Sequence, residues 1–372
     1  MAAAPGVNGA PVADSHNRVE AAIAAFAKGE LVVVTDDDDR ENEGDLFVAA
    51  SLCTAEKMAF IIRHTSGIVC APVSSEQAER LHLDPMVARN DAPLGTAFTV
   101  SVDVKHGLTT GISAEERCNT VRALANNNSG ATDFVRPGHV FPLVAREGGV
   151  LMRSGHTEAC IDLCRLAGLP PVGVLSELMN ENGTVMRGGE VAAFAKTHNL
   201  QTLSIAELIA YRQARDKLVK RVGEFQLTTE IGPMTGYAYV TPFDEVHHIA
   251  FVYGGVGDGK NMPARLHRAD VIGDVFGGAR TIRSALKRFK AEGRGVVVYL
   301  RDGTAGVPVS DIPDPAGAEA ARSQQWREIG LGAQILKDLG ISSIKLLSST
   351  KRTYVGLGGF GIEIISTERL EA

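Results

Sequence analysis

Between Thr35 and Phe47 the chain crowds seven acidic residues and one arginine, Thr-Asp-Asp-Asp-Asp-Arg-Glu-Asn-Glu-Gly-Asp-Leu-Phe, between the apolar runs Leu31–Val34 and Leu46–Ala50. Two short β-type runs joined by a polar connection containing glycine read as a hairpin, and a loop on such a frame can aim several carboxylates at one point. Carboxylates at that density repel one another unless a cation sits among them. Mg²⁺ is usually held by one or two carboxylates, with water and substrate oxygens completing its shell, so a divalent cation fits the loop. A hydrated acidic turn is the competing reading, because acidic runs are commonly exposed.

A second segment favours the cation. Arg153-Ser154-Gly155-His156-Thr157 follows the apolar stretch Val140–Val144 and the Gly148-Gly149 break, and it opens a helix-like run, Thr157–Ala167, closed by Gly168 and Pro170. A glycine and a threonine at a helix start leave backbone N–H groups for an anion, and a neighbouring arginine can grip phosphate in a fork. Imidazole is an unusual Mg²⁺ ligand but is accepted beside carboxylate where Mn²⁺ can substitute, which gives His156 a role; a capping or core histidine is the alternative. The two segments together describe a site for a small phosphorylated substrate chelated by metal.

The chain has 372 residues, 44% hydrophobic and 22% charged with net charge −6, as expected of a protein of about two domains with no nucleic-acid partner. The first sixteen residues are rich in Ala, Gly and Pro with neither a basic nor an apolar signal region, and no uncharged apolar span of about 18 residues follows. A cytoplasmic protein without membrane contact is expected. Five cysteines, Cys53, Cys70, Cys118, Cys160 and Cys164, all lie in the first half without CxxC spacing and read as free thiols. Cys70 is the one expected near the site, more as a small buried hydrophobe than as a nucleophile.

Helical spacing marks Val19–Phe26, a capping box at Ser113 opens a helix toward Ala125, and Ser204 caps another reaching Arg215. Ile68–Val73 and Pro171–Met179 read as strands. The charged stretch Asp216–Glu224 leads into β-type runs at Tyr237–Val240 and Ile249–Tyr253. Gly295–Leu300, Ile329–Leu339 and Ser343–Leu347 then give the strand-helix-strand rhythm of a layered α/β domain. The boundaries expected are a flexible tail over 1–16, a first domain over 17–215 and a second over 216–372.

Five segments carry a resemblance: Asp38-Asp39-Arg40-Glu41-Asn42-Glu43-Gly44-Asp45, Ser66-Gly67-Ile68-Val69-Cys70, Thr109-Thr110-Gly111-Ile112-Ser113-Ala114, Arg136-Pro137-Gly138-His139-Val140-Phe141-Pro142-Leu143, and Arg153-Ser154-Gly155-His156-Thr157-Glu158-Ala159. Over about residues 17–213 the chain resembles 3,4-dihydroxy-2-butanone 4-phosphate synthase of riboflavin biosynthesis. The resemblance implies a layered mixed-sheet α/β domain, conversion of ribulose 5-phosphate to the butanone phosphate and formate, Mg²⁺ or Mn²⁺, and a homodimer. It also implies that Glu41 and His156 bind metal, that Arg40, Asp45 and Arg153–Thr157 contact substrate, and that His139 and Glu177 are essential to catalysis. Thr110 is a further candidate for phosphate, and Asp38 and Glu43 for carboxylates supporting the metal ligands. Glu177, in the apolar run Val172–Met179, is expected to be buried, as suits a proton-transfer group.

From about Leu227 the chain resembles GTP cyclohydrolase II, through Gly273-Asp274-Val275-Phe276-Gly277, Glu292-Gly293-Arg294-Gly295-Val296 and Gly330-Leu331-Gly332-Ala333-Gln334-Ile335-Leu336. That family holds zinc with three cysteines, and their places here are Asp270, Thr281 and Arg283. A catalytic loop is altered to Gly303-Thr304-Ala305-Gly306-Val307-Pro308, and Arg327 retains the family's arginine while its acidic neighbour is Gln325. No zinc and no cyclohydrolase catalysis are expected from this half. The alternatives are a bifunctional enzyme and a second domain that binds a nucleotide or flavin-pathway ligand.

Overall fold

The computed structural model describes residues 12–36, 41–242, 244–301, 330–349 and 361–370. Over these residues the chain divides into two compact units, one ending at Tyr211 and one beginning at Arg212. In the first, chain order gives α1 (Val12–Ala27), β1 (Val32–Thr35), β2 (Gly44–Ala49), α2 (Ala55–His64), β3 (Cys70–Val73), α3 (Ser75–Arg80), β4 (Val102–Val104), α4 (Ala114–Leu124), β5 (Phe134–Val144), α5 (His156–Leu166), β6 (Gly173–Glu177), α6 (Gly189–Thr197), β7 (Gln201–Ser204) and α7 (Ile205–Arg215). Helix α1 begins inside the stretch expected as a tail. Its Val19, Ala22 and Phe26 are buried, and the helix that packs them extends back past residue 16.

One mixed sheet, ordered β4-β5-β3-β6-β2-β1-β7, organises this unit. The hairpin expected around the acidic loop forms as β1 and β2, antiparallel with Val34 opposite Asp45. Strands β2 and β3 are buried along their whole length, which is why their sequences run apolar instead of alternating. The core joins Leu46, Val48, Met58, Ile61, Val121, Leu124 and Val174 across strands and helices. At the start of α4 the Ser113 side chain accepts from Glu116 N–H while the Glu116 carboxylate accepts from Ser113 N–H, completing the capping box.

The second unit holds β8 (Lys220–Thr229), β9 (Gly232–Thr241), β10 (Asp244–Tyr253), β11 (Met262–Arg268), a π-helical turn (Ile272–Phe276), α8 (Arg280–Glu292), β12 (Gly295–Leu300), a helix over 330–338 termed α9, β13 (Ser343–Ser348) and β14 (Glu363–Arg369). Its sheet runs β14-β13-β11-β12-β10-β9-β8, antiparallel from β8 to β12 and parallel from β12 to β14. No described helix is long and apolar enough to cross a membrane.

Helix α5 carries the candidate site and is seated by a glycine. A Cβ at Gly173, on β6, would run into the Cys160 sulfur on α5, so only glycine lets helix and strand approach this closely. Gly173→Ala should cost about 1–3 kcal/mol in urea unfolding, the usual range for overpacking. The further change Cys160→Ala should recover part of that loss; additive costs in the double variant would refute the steric reading.

Candidate active site and metal centre

Strand register brings the site together. Phe141 on β5 lies beside Cys70 on β3, Cys70 beside Leu175 on β6, and Leu175 beside Phe47 on β2. Two residues further toward one end of these strands come His139, Glu177 and Asp45, the last two directly paired. A period of two keeps residues i and i+2 on one face, so Asp45 and Glu177 share the face of Cys70 and Phe47. His156, the first residue of α5, packs its ring edge-on to Phe47 at 6.0 Å between centroids.

The acidic loop folds back on Asp36, whose buried carboxylate accepts from the N–H groups of Glu41 (3.1 Å) and Glu43 (2.9 Å). Ligand atoms of Asp36, Glu41 and His156 lie within 4.8 Å of one another, and among the described residues this is the group of histidine and acidic side chains that converges so. A divalent cation suits these donors: two carboxylates and one imidazole, with carboxylate neighbours whose charge needs an opposite partner. Asp36 was not singled out by sequence reasoning. Its placement at the end of β1, where the backbone turns, was the available signal. Asp38 and Arg40 lie outside the described residues.

Burial first, then the negative charges of Glu177 and Glu41, pushes the Glu43 carboxyl up to about 7, with Arg187 opposing at 3.3 Å. Asp45 is wholly buried and is held well above the carboxylate range by desolvation and by Glu177, Glu41, Glu43 and Asp36. Burial, with Asp45 and Glu177 nearby, pushes the Cys70 thiol up to about 12, so it stays neutral and is no nucleophile at neutral pH. Glu177 itself departs from expectation: Ser176 is buried but Glu177 is exposed, because the strand ends there and the side chain faces the open rim.

His139 is held by a residue sequence reasoning missed. The β4–β5 ladder jumps between Val102, opposite Val140, and Asp103, opposite Val135, so the Arg136–His139 segment bulges out of register. Asp103, almost fully buried, fills the bulge: its carboxylate accepts from His139 N–H at 2.8 Å and meets His139 Nδ1 at 2.7 Å. Gly111, at φ 82°, lies against this pair, where a Cβ would strike both Asp103 and His139. The Thr109-Thr110-Gly111 turn is thereby brought to His139, with Thr110 exposed.

Arg153 differs from its expected phosphate-gripping role. It is buried, its Nη1 donates to Glu158 at 2.7 Å, and its Nη2 donates to the Leu94 carbonyl at 3.1 Å and to Thr96 at 3.3 Å. Glu158 in turn accepts from Arg146 N–H. The guanidinium anchors the turn before α5, and the absence of a side chain at Gly155 makes room for that ion pair. Ser154 is half-buried, and Gly155, His156 and Thr157 form the buried first turn.

A family model described as 3,4-dihydroxy-2-butanone 4-phosphate synthase matches residues 20–211, and one described as GTP cyclohydrolase II matches residues 220–371. The chain belongs to the 3,4-dihydroxy-2-butanone 4-phosphate synthase family. It is an enzyme of riboflavin biosynthesis that carries this synthase activity. Bifunctional riboflavin biosynthesis protein RIBA 1 of Arabidopsis thaliana is 46% identical over 92% of this chain and 67% of its own length. The crystal structure of RibBX, a two-domain 3,4-dihydroxy-2-butanone 4-phosphate synthase from A. baumannii, superposes with TM-score 0.78 at 36% identity, covering 95% of this chain and 99% of that one. A synthase solved in complex with two magnesium ions matches at 46% identity and TM-score 0.52, over 53% of this chain and 97% of its own.

In the cyclohydrolase-like unit, the three positions expected in place of zinc cysteines have surroundings of their own. Asp270 is exposed and accepts from Gly273 N–H at 3.0 Å, Thr281 is half-buried, and Arg283 is exposed with its guanidinium 3.8 Å from Glu230. Asp274 of the Gly-Asp-Val-Phe-Gly motif meets His267 at 2.9 Å and accepts from the Tyr299 hydroxyl at 2.7 Å. Gln334 bonds the backbone of residues 213–218, accepting from Leu218 N–H and donating to the carbonyls of Gln213 and Asp216. Gly303–Pro308, Gln325 and Arg327 lie outside the described residues.

The raised carboxyls give the metal-free synthase a pH signature. Folding makes Glu43 hold a proton the unfolded chain has already released, so stability should fall as pH rises from the usual carboxylate range through about 7. In chelator, the urea midpoint should therefore drop across that window, and Glu43→Gln should flatten the slope. An equally steep slope in the variant would sink this account.

Proposed function

We propose that the first unit converts D-ribulose 5-phosphate to 3,4-dihydroxy-2-butanone 4-phosphate and formate at the Asp36–Glu41–His156 centre, with Mg²⁺ as the metal and Mn²⁺ able to replace it. The observation that carries this is the convergence of those three ligand sets beside the Asp45–Glu177 pair. When bound, the cation would polarise the substrate's carbonyl and hydroxyl oxygens and so acidify its carbon-bound protons. The synthase solved with two magnesium ions supports the choice of metal.

His139 commits Nδ1 to Asp103, which leaves Nε2 to exchange protons with the substrate and fixes the ring's orientation. Exposed Glu177 can reach a substrate lying over the strand ends and acts as the second proton carrier. Buried Asp45 beside it offers a hydrogen bond to a substrate hydroxyl. The N–H groups of the first turn of α5, from Gly155 to Thr157, receive the phosphate together with Thr110, and Arg40 contributes from the acidic loop. Arg153 acts by holding that turn in place. A homodimer belongs to this reading through the family resemblance.

Glu41→Gln and His156→Ala should abolish formate release, and titration should show weakened metal binding. His139→Asn and Glu177→Gln should cost about 10²-fold or more in turnover while metal still binds, the usual effect of losing a general acid or base. If the last two variants lost the metal instead, the division of roles would be wrong.

For the second unit we propose a domain that keeps the cyclohydrolase fold without its zinc chemistry. A catalytic zinc takes three protein ligands and an open position, whereas the corresponding places offer one carboxylate, one hydroxyl and one cation, and no cysteine follows Cys164. The name of the Arabidopsis relative favours a second reading, a bifunctional enzyme. Elemental analysis with a GTP turnover assay separates the two: the proposal expects no stoichiometric zinc and no formate from GTP, and finding both would establish the bifunctional reading.

A further inference from the structure

The second unit contains a cavity of about 310 Å³ between its sheet and α8. Register explains why the space exists. Thr229 on β8 pairs with Gly232 on β9, which leaves that position on the sheet face beneath α8 without a side chain, while at Gly236, opposite Phe251 on β10, the Phe225 ring fills the space. Met234 stands between the two glycines on the same face. Phe251 and Tyr299 bring aromatic rings to the wall, and Ile282 and Leu286 close it from the helix.

The polar atoms of this lining are already committed. The Thr229 hydroxyl donates to the Gly232 carbonyl at 2.9 Å, and the Tyr299 hydroxyl donates to Asp274 at 2.7 Å. The Tyr299 ring is further held by stacking on His267, at 5.3 Å between centroids and 22° between planes. The cavity therefore presents a pre-set aromatic and aliphatic wall with no donor or acceptor for a charged group, and its volume is within the range of small-molecule sites. Ile282 lies between Thr281 and Arg283, two of the positions where the cyclohydrolase family places zinc cysteines. The first turn of α8 thus supplies Ile282 to the apolar wall, while Arg283 beside it lies 3.8 Å from Glu230.

We infer that this cavity is a binding site for a small uncharged aromatic molecule, and that it excludes nucleotides. The inference deepens the reading of the second unit as non-catalytic, but is tested apart from it. The probe is N-phenyl-1-naphthylamine, an uncharged ring compound whose emission rises and shifts to the blue in apolar surroundings, titrated into the full chain. Saturable binding at one site per chain is expected. Ile282→Asp, a change at a half-exposed position, should weaken it by at least about tenfold, because the introduced carboxylate would have to be desolvated. Met234→Trp, which fills the space, should do the same, with circular dichroism checking that both variants remain folded. Excess GTP should leave the probe bound. No saturable binding, unchanged affinity in both folded variants, or displacement by GTP would each overturn the assignment. Zinc and GTP turnover, measured separately, report on the non-catalytic reading whatever the probe does.

Discussion

Repulsion among carboxylates brought together at one end of the first sheet is the constraint around which this unit is built. Asp45 is buried against Glu177, Glu41, Glu43 and Asp36, an arrangement that costs free energy in the absence of protons or a cation. A fold selected for stability alone would not place these groups together. The cost is carried by a central strand pair, β2 buried throughout and β6 buried up to Ser176, by the hairpin that returns the loop onto Asp36, and by a helix start that supplies imidazole. What destabilises the metal-free protein is what gives the centre its appetite for a divalent cation.

Around that centre, rigid supports position groups that would otherwise be mobile. Arg153 and Glu158 form a buried ion pair, and breaking such a pair by removing one partner is far more costly than exchanging the whole pair for apolar residues. Its value here is geometric, since it fixes the turn from which α5 begins. Asp103 does the same for His139 by filling a bulge in the sheet. Both arrangements require a neighbouring glycine, Gly155 and Gly111, because the paired side chains occupy the space a Cβ would need.

In the second unit, residues of the cyclohydrolase-like motifs are tied into the packing of the unit itself. The Gly-Asp-Val-Phe-Gly motif remains, yet its aspartate bonds His267 and Tyr299 within the unit. Gln334 ties the backbone at 213–218 to α9. These contacts give Asp274 and Gln334 structural roles within the unit.

Local chemistry was legible in the chain alone. The hairpin, the capping boxes at Ser113 and Ser204, the helix that follows Gly155 and the acidic loop follow from short local patterns, where turn chemistry and periodicity act directly. The absence of cysteines after Cys164 was equally plain, since composition needs no coordinates. Three-dimensional packing decided the rest. Asp103 lies 36 residues before His139 and meets it only because β4 and β5 pair with a bulge. Glu177 sits in an apolar run but is exposed, because where a strand ends depends on its neighbours and not on its own composition. Arg153 binds a carboxylate of its own chain, a choice that burial makes and a motif cannot announce. The sequence by itself determined which residues could bind metal and phosphate; tertiary structure decided which of them face one another, because long-range register and burial set the distances on which charge interactions depend.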